Sequence, residues 1–250
     1  MLAEPHPTGS FRPHPVRWDR ATSARYWDYL SQQPSAHGNY FSEQVSDAVL
    51  AYLRRRRLPL SGRVLDFGCG RGFLLQRLGS AGICCEGVDF SERSVDAARK
   101  LVAGLPDVRG VALAGSLPTP LPDRAFDLVV SLESVEHILP EDMEATFAEV
   151  RRVLRRDGRL VLTTPNEEDL EPSRQMCPEC GCVFHRMQHV WSWSAASLSC
   201  SMEDLGWQTL RVEAVLFRQN GSRLARVKEY LDRFRRRRNP HLVWIGRPVF

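Results

Sequence analysis

The chain has no run of eighteen apolar residues, so it offers no membrane-spanning helix of ordinary length. Its first twenty residues, Met1 to Arg20, are rich in Pro, His and Arg and lack an apolar stretch. They do not read as a secretory signal; the expectation for them is a disordered or loosely attached arm. No linker, no internal repeat and no known RNA-binding module stands out in the 250 residues. Charge of one sign is not in large excess either, with a net +4. The seven cysteines are spaced unlike a disulfide framework. Cys69 falls in a glycine loop, Cys84 and Cys85 in an apolar stretch, and Cys177, Cys180 and Cys182 within six residues. A reducing cytoplasm and a metal site account for that spacing better than disulfides.

What is present is an ordinary globular composition, 43% hydrophobic and 26% charged, enough for one domain with a sizeable core. Basic residues cluster in two runs, Arg54 to Arg57 and Arg235 to Arg238. Such runs suit an anionic partner, or simply the C-terminal ends of solvated helices. Hydrophobic periodicity gives a helix over 41–57, with Val45, Ala48, Val49 and Leu53 on one face, and then alternating strands and helices. Strands are expected at 63–67, 83–89, 108–114, 126–132 and 159–164. Helices are expected from Gly72, from the Ser91 cap to Val102, and over 141–154. This alternation predicts a doubly wound α/β fold with a mostly parallel sheet. Beyond it come a Cys/His-rich insertion, a helix at 193–205, a strand at 208–217, a basic helix at 222–237 and a last strand at 242–245. The expected division is an arm over 1–39, a core over 40–166, the Cys/His module over 167–192 and the C-terminal part of the core domain over 193–250.

The strongest motif is Val64-Leu65-Asp66-Phe67-Gly68-Cys69-Gly70-Arg71-Gly72. Alternate glycines after a strand permit a tight turn and close backbone approach to a ligand, and the helix that follows offers free N–H groups. Its spacing differs from the dinucleotide G-x-G-x-x-G, since Phe73 holds the third glycine's place. Asp89, nineteen residues after Gly70, ends the next strand, where a carboxylate can accept bonds from both ribose hydroxyls. The acid-x-G-x-G-x-G pattern resembles motif I of the class I S-adenosylmethionine-dependent methyltransferases. That resemblance covers roughly 40–166 and implies a seven-stranded, Rossmann-like sheet. It further implies that Asp66, Gly68, Cys69 and Gly70 lie along the methionine part of S-adenosylmethionine, that Asp89 holds the ribose, that Phe90, Ser116 and Leu117 line the adenine side, and that Leu132 also borders the cofactor. Ser116 stands where the family usually has an acid.

After the fourth strand come Glu133, Glu136 and His137 in Glu-x-x-Glu-His. Two acids three apart on a helical turn share a face, and with an imidazole they suit Mg²⁺, Mn²⁺ or Zn²⁺. The pattern resembles two methyltransferase branches, the O-methyltransferases of ubiquinone biosynthesis and the RNA 3′-terminal 2′-O-methyltransferases. In both a later His follows a Thr-Thr-Pro-Asn-like stretch; here those are Thr163 to Asn166 and His189. The implied site is Glu133, Glu136, His137 and His189, holding a divalent ion or using His137 or His189 as general base.

Cys177-Pro178-Glu179-Cys180-Gly181 is a knuckle that can aim two thiolates at one Zn²⁺. Cys177, Cys180, His185 and His189 would complete C-x2-C-x4-H-x3-H. Alternatively Cys182 is the third ligand and His189 serves the active site; both sites cannot claim His189. A redox pair fits less well, because the knuckle does not open a helix after a strand. The resulting expectation is a methyltransferase acting on the hydroxyl of a small molecule. RNA modification, and a non-catalytic zinc-binding interaction protein on the same fold, are the alternatives. Oligomeric state is not legible.

Overall fold

A computed structural model describes residues 12–33, 40–218 and 240–249. The strands are β1 (His14–Pro15), β2 (Val64–Phe67), β3 (Cys85–Asp89), β4 (Val108–Leu113), β5 (Phe126–Leu132), β6 (Leu154–Pro165), β7 (Arg174–Met176), β8 (Cys182–His185), β9 (Trp207–Val215) and β10 (His241–Pro248). The helices are α1 (Arg20–Gln32), α2 (Phe41–Arg55), α3 (Phe73–Ser80), α4 (Glu92–Leu101), α5 (Met143–Val153) and α6 (Ala195–Asp204). Seven strands form one sheet in the order β4-β3-β2-β5-β6-β10-β9. Strands β4, β3, β2, β5 and β6 run parallel, and β10 lies antiparallel to both β6 and β9.

The parallel strands read as apolar runs because both faces of the sheet are covered. One buried cluster joins α2, α3 and α4 to Val64, Leu128, Val130 and Val243. The other joins α5 and α6 to Leu65, Val129, Leu162 and Trp244. From β2 the chain winds outward through β3 and β4, then returns to place β5 on the other side of β2. The carboxyl ends of β2 and β5 therefore flank the point where winding reverses, which is where doubly wound sheets bind ligands.

Sequence and structure part company in four places. Strand β6 begins at Leu154 rather than 159, but its register against β5 jumps between Phe126 and Leu128, so the Arg155-to-Gly158 turn survives as a bulge. Glu133 and Glu136 do not share an α-helix; Glu133 takes φ +46° and only Val135–His137 form a 3₁₀ turn. The Cys/His segment is not structureless, since β7 and β8 make a hairpin. The arm is tied down in its described part: β1 pairs in parallel with β8, and Asp19 caps α1 through a reciprocal box with Thr22. The basic helix and Arg235 to Arg238 lie outside the described residues. No described helix is long and apolar enough to cross a membrane.

Candidate active site

The glycine loop joins β2 to α3. Gly68, Gly70 and Gly72 all take positive φ, from +50° to +84°, a region that costs other residues strain. A Cβ on Gly68 would meet Ser134 Oγ at 2.8 Å and one on Gly72 would meet Ala98 at 2.9 Å, whereas one on Gly70 would stand in open space. Gly70 thus faces the crevice. The Gly68 and Cys69 N–H groups both donate to the Val88 carbonyl. The Cys69 side chain packs inward behind the loop, so that a Cβ on Gly87 would lie 2.9 Å from its sulfur.

Two acids meet beneath this loop. Asp89 accepts the Gly70 N–H at 2.8 Å through one oxygen and the Ser91 N–H at 2.9 Å through the other. Each oxygen keeps a second lone pair for a ligand. Asp66 is buried next to it; burial, then the charge of Asp89, pushes its carboxyl up to about 8. Burial likewise raises Asp89, against its backbone hydrogen bonds. A cation entering here would relieve both acids, which is the environment an ammonium group needs. Phe90 leaves the next turn 47% exposed, an apolar face open to a flat ring. Leu132 is buried at the end of β5; Ser116 is exposed and Leu117 half-buried in the loop after β4.

Beside this pocket, at the end of β5, lies the acid–histidine cluster. The Glu136 side chain is 1% exposed, and neither carboxylate oxygen has a hydrogen-bond partner among the described residues. Burial, then the charge of Glu133, holds its pKa well above the usual range. Glu133 donates its N–H to the Thr163 carbonyl and hydroxyl, and its carboxylate lies 3.3 Å from His241 Nδ1. His137 Nδ1 faces the Gln188 carbonyl at 3.4 Å, leaving Nε2 3.9 Å from Glu136 Oε1. Burial, then the neighbouring His189, lowers the His137 pKa to about 3, so the ring is neutral. One ligand atom each from Glu136, His137 and His189 lies within 4.8 Å of the others.

His189 arrives from a distant segment because Val190 and Trp191 donate their N–H groups to the Glu136 carbonyl. Its Nδ1 contacts the Glu168 carboxylate, which turns Nε2 towards Glu136 and His137. His185 stacks on His189 at 4.5 Å and accepts the Met187 and His189 N–H groups on Nδ1. Its proton is therefore on Nε2, 3.7 Å from Glu168. Burial works to raise the Glu168 carboxyl, but the His189 hydrogen bond holds it below the ordinary value.

The structure groups Cys177, Cys180 and Cys182 with one another, and groups His185 and His189 with Glu168. The C-x2-C-x4-H-x3-H quartet is thus divided between two places. Sequence reasoning missed Glu168, Gln188 and Trp27. Gln188 is buried; its amide donates to Ser23 Oγ at 3.0 Å, its carbonyl oxygen accepts the Trp27 indole N–H, and Trp27 packs edge-on to His137 at 4.8 Å. None of these contacts has a local sequence signal.

A family model described as "Methyltransferase domain" matches residues 36–212. The chain is 30% identical over 171 residues to a 27-O-demethylrifamycin SV methyltransferase of Amycolatopsis mediterranei, covering 66% of this chain and 60% of that protein. It is 36% identical over 165 residues to the mitochondrial ubiquinone biosynthesis O-methyltransferase of Bos taurus, covering 60% of this chain and 42% of that one. The matched part therefore falls short of two thirds of either relative. Among solved structures, the complex of DhpI with SAH aligns with a TM-score of 0.61 at 20% identity, over 92% of this chain and 99% of the other. The [4+2]-cyclase SpnF aligns with a TM-score of 0.64 at 20% identity, over 96% of this chain and 100% of the other. At that identity the two structures speak for the fold alone.

Proposed function

The chain belongs to the class I S-adenosylmethionine-dependent methyltransferases, and from that premise we propose that it methylates a hydroxyl group of a small molecule at the Glu136–His137–His189 cluster. The observation that carries this reading is Glu136. A buried carboxylate with two unpartnered oxygens, beside two imidazoles, costs several kcal/mol unless something else completes the site.

The cofactor, when bound, supplies an electrophilic methyl group on a sulfonium. Asp66 would face its ammonium, the Gly68-to-Gly70 backbone its methionine part, Asp89 its ribose, and Phe90, Ser116 and Leu117 the adenine side, with Leu132 bordering the cofactor at the end of β5. The crevice at the ends of β2 and β5 would then set the methyl towards the cluster. Glu136, His137 and His189, with Glu133 next to them, fit a divalent ion such as Mg²⁺, which would lower the pKa of an acceptor hydroxyl. The protein's own part is to orient the acceptor, exclude water with Trp27 and hold the proton that the hydroxyl gives up. Where no ion is held there, His189 suits that last task instead, because the Glu168 contact at Nδ1 leaves Nε2 to take the proton. The names of the two relatives above, both methylating oxygen in small molecules, favour the same class of acceptor.

An RNA acceptor is less well supported. Arg55 to Arg57, Arg159 and Arg211 line an open groove of about 560 Å³. That groove lies near the amino end of β6, six residues or about 20 Å from the cluster at its carboxyl end. A strand held there would not present a ribose to Glu136 without spanning the sheet.

The test is the Glu136→Gln variant, read two ways. Manganese binding followed by electron paramagnetic resonance should fall at least tenfold. Methyl transfer to a panel of phenols and polyols, each with and without chelator, should drop by orders of magnitude while S-adenosylhomocysteine affinity stays unchanged. Full turnover in Glu136→Gln would remove this site from the reaction. Transfer to RNA alone would replace the acceptor class.

A further inference from the structure

The hairpin β7–β8 and the N-terminal segment form a small layer with little core of its own. Trp18, Tyr26 and Phe184 pack edge-to-face at 5.4–6.3 Å, and these three rings join the N-terminal segment to the hairpin. At the tip of the hairpin the backbone closes a knuckle. The Cys177 N–H donates to Cys182, the Gly181 N–H donates to Cys177, and Gly181 takes φ +80°. The three sulfurs come within 4.8 Å of one another, and none of the cysteines is in a disulfide. A tetrahedral zinc with Zn–S bonds of about 2.3 Å needs sulfurs roughly 3.8 Å apart, so a shift of an ångström or less would seat the ion. His185 and His189, the histidines that follow the knuckle, are turned to Glu168 and do not complete this group.

The histidine beside the thiols comes from the other end of the chain. In the parallel ladder of β1 and β8, His14 is the partner of Cys182, so the two side chains leave the same face. The His14 N–H donates to the Gly181 carbonyl at 3.0 Å, and its Nε2 lies 3.1 Å from the Cys180 carbonyl. The ring is exposed and its nitrogens are not yet grouped with the sulfurs, so ligation requires the ring to turn away from that carbonyl. We propose that Cys177, Cys180, Cys182 and His14 form a structural zinc site that clasps the N-terminal segment onto the hairpin.

The clasp has a consequence for the active site. Helix α1 follows His14 directly and packs on α4. Its Asp28 accepts the Ser91 hydroxyl at 2.7 Å beside the ribose acid Asp89, its Tyr26 donates to the Arg186 carbonyl, and its Trp27 covers His137. Only Ser23 of α1 is fully buried; Tyr26 and Trp27 are half-buried against the hairpin and His137. A cover held by a few rings and polar contacts stays in place best when its segment is already localised, and three thiolates and one imidazole would supply that localisation.

Zinc should be measured by elemental analysis on full-length protein purified with reductant and dialysed against a mild chelator. About one zinc per chain is expected, retained in Glu136→Gln and His185→Ala and lost in Cys180→Ser. X-ray absorption should show three sulfur neighbours and one imidazole, the imidazole signature vanishing in His14→Ala. His14→Ala should release zinc to chelator at least tenfold faster and speed proteolysis within residues 12–33 by a similar factor. His14→Cys should restore both, which guards against a mere folding defect. No zinc in the wild type, even after refolding with the metal, would overturn the site, as would oxidation of two of the three thiols to a disulfide. Unchanged zinc release and proteolysis in His14→Ala would overturn the role of His14. None of these outcomes depends on methyl transfer.

Discussion

Replacing Asp89 by alanine asks how much of cofactor binding rests on one carboxylate. Its oxygens already accept the Gly70 and Ser91 N–H groups, at 2.8 and 2.9 Å, and each has one lone pair left for a ribose hydroxyl. Hydrogen bonds to a charged group contribute about 1.5–3 kcal/mol each, so two ribose bonds amount to roughly 3–6 kcal/mol, or two to four powers of ten in affinity. The variant also strands the Gly70 N–H, at a cost of about 1–3 kcal/mol in stability. Calorimetric titration with S-adenosylhomocysteine should show at least a hundredfold loss for Asp89→Ala. Asp89→Asn, which keeps one acceptor oxygen and the side-chain volume, should fall between that variant and the wild type. Circular dichroism and a melting curve separate the binding loss from loop collapse. An affinity within threefold of the wild type in folded Asp89→Ala protein would refute the ribose assignment.

Gly70→Val should abolish S-adenosylhomocysteine binding yet leave the far-ultraviolet spectrum intact, because its Cβ enters the crevice and not the core; retained titration heats would contradict this. Glu168→Gln should lower turnover by about 10–100-fold with cofactor affinity unchanged, since it frees the His189 ring to choose the other tautomer; steady-state kinetics beside calorimetry read both. Without cofactor, the contribution of Asp66 to stability should fall as pH rises from about 4 towards 8. Over that window the folded state keeps the Asp66 proton, at a pKa of about 8, while the unfolded state has released it. The effect is on the order of 6 kcal/mol at most, and in urea titrations the stability of the wild type relative to Asp66→Asn should decline as pH rises over that window.

What the sequence disclosed was what is local. The glycine loop was legible because positive φ at alternate residues demands glycine, and the strand before it is short, buried and apolar but for Asp66. The Ser91 cap was legible for the same kind of reason, a hydroxyl placed to accept the Ser94 N–H. Helix α1 was not, because it has no continuous apolar stripe; its Trp27, Asp28 and Tyr26 act through contacts with segments distant in sequence. Glu168 was hidden among Glu167, Asp169 and Glu171, and only the arrival of His189 distinguishes it. His14 stands 163 residues before Cys177, and nothing in its neighbourhood marks it except the strand pairing that the fold creates.

His189 shows why the two metal hypotheses read from sequence competed. Spacing alone makes it an equal partner for the cysteine knuckle and for Glu136. The decisive contacts are made through backbone groups and through Glu168. Val190 and Trp191 hang their N–H groups on the Glu136 carbonyl, which brings the residue before them to the end of β5. Glu168, at the exit of β6, then takes Nδ1. An imidazole whose Nδ1 is occupied by a carboxylate presents only Nε2, and here Nε2 faces the same space as Glu136 and His137. With His189 committed to that space and His185 stacked upon it, the proposed clasp draws its imidazole from outside the knuckle's own segment, from His14, which the ladder of β1 against β8 pairs with Cys182.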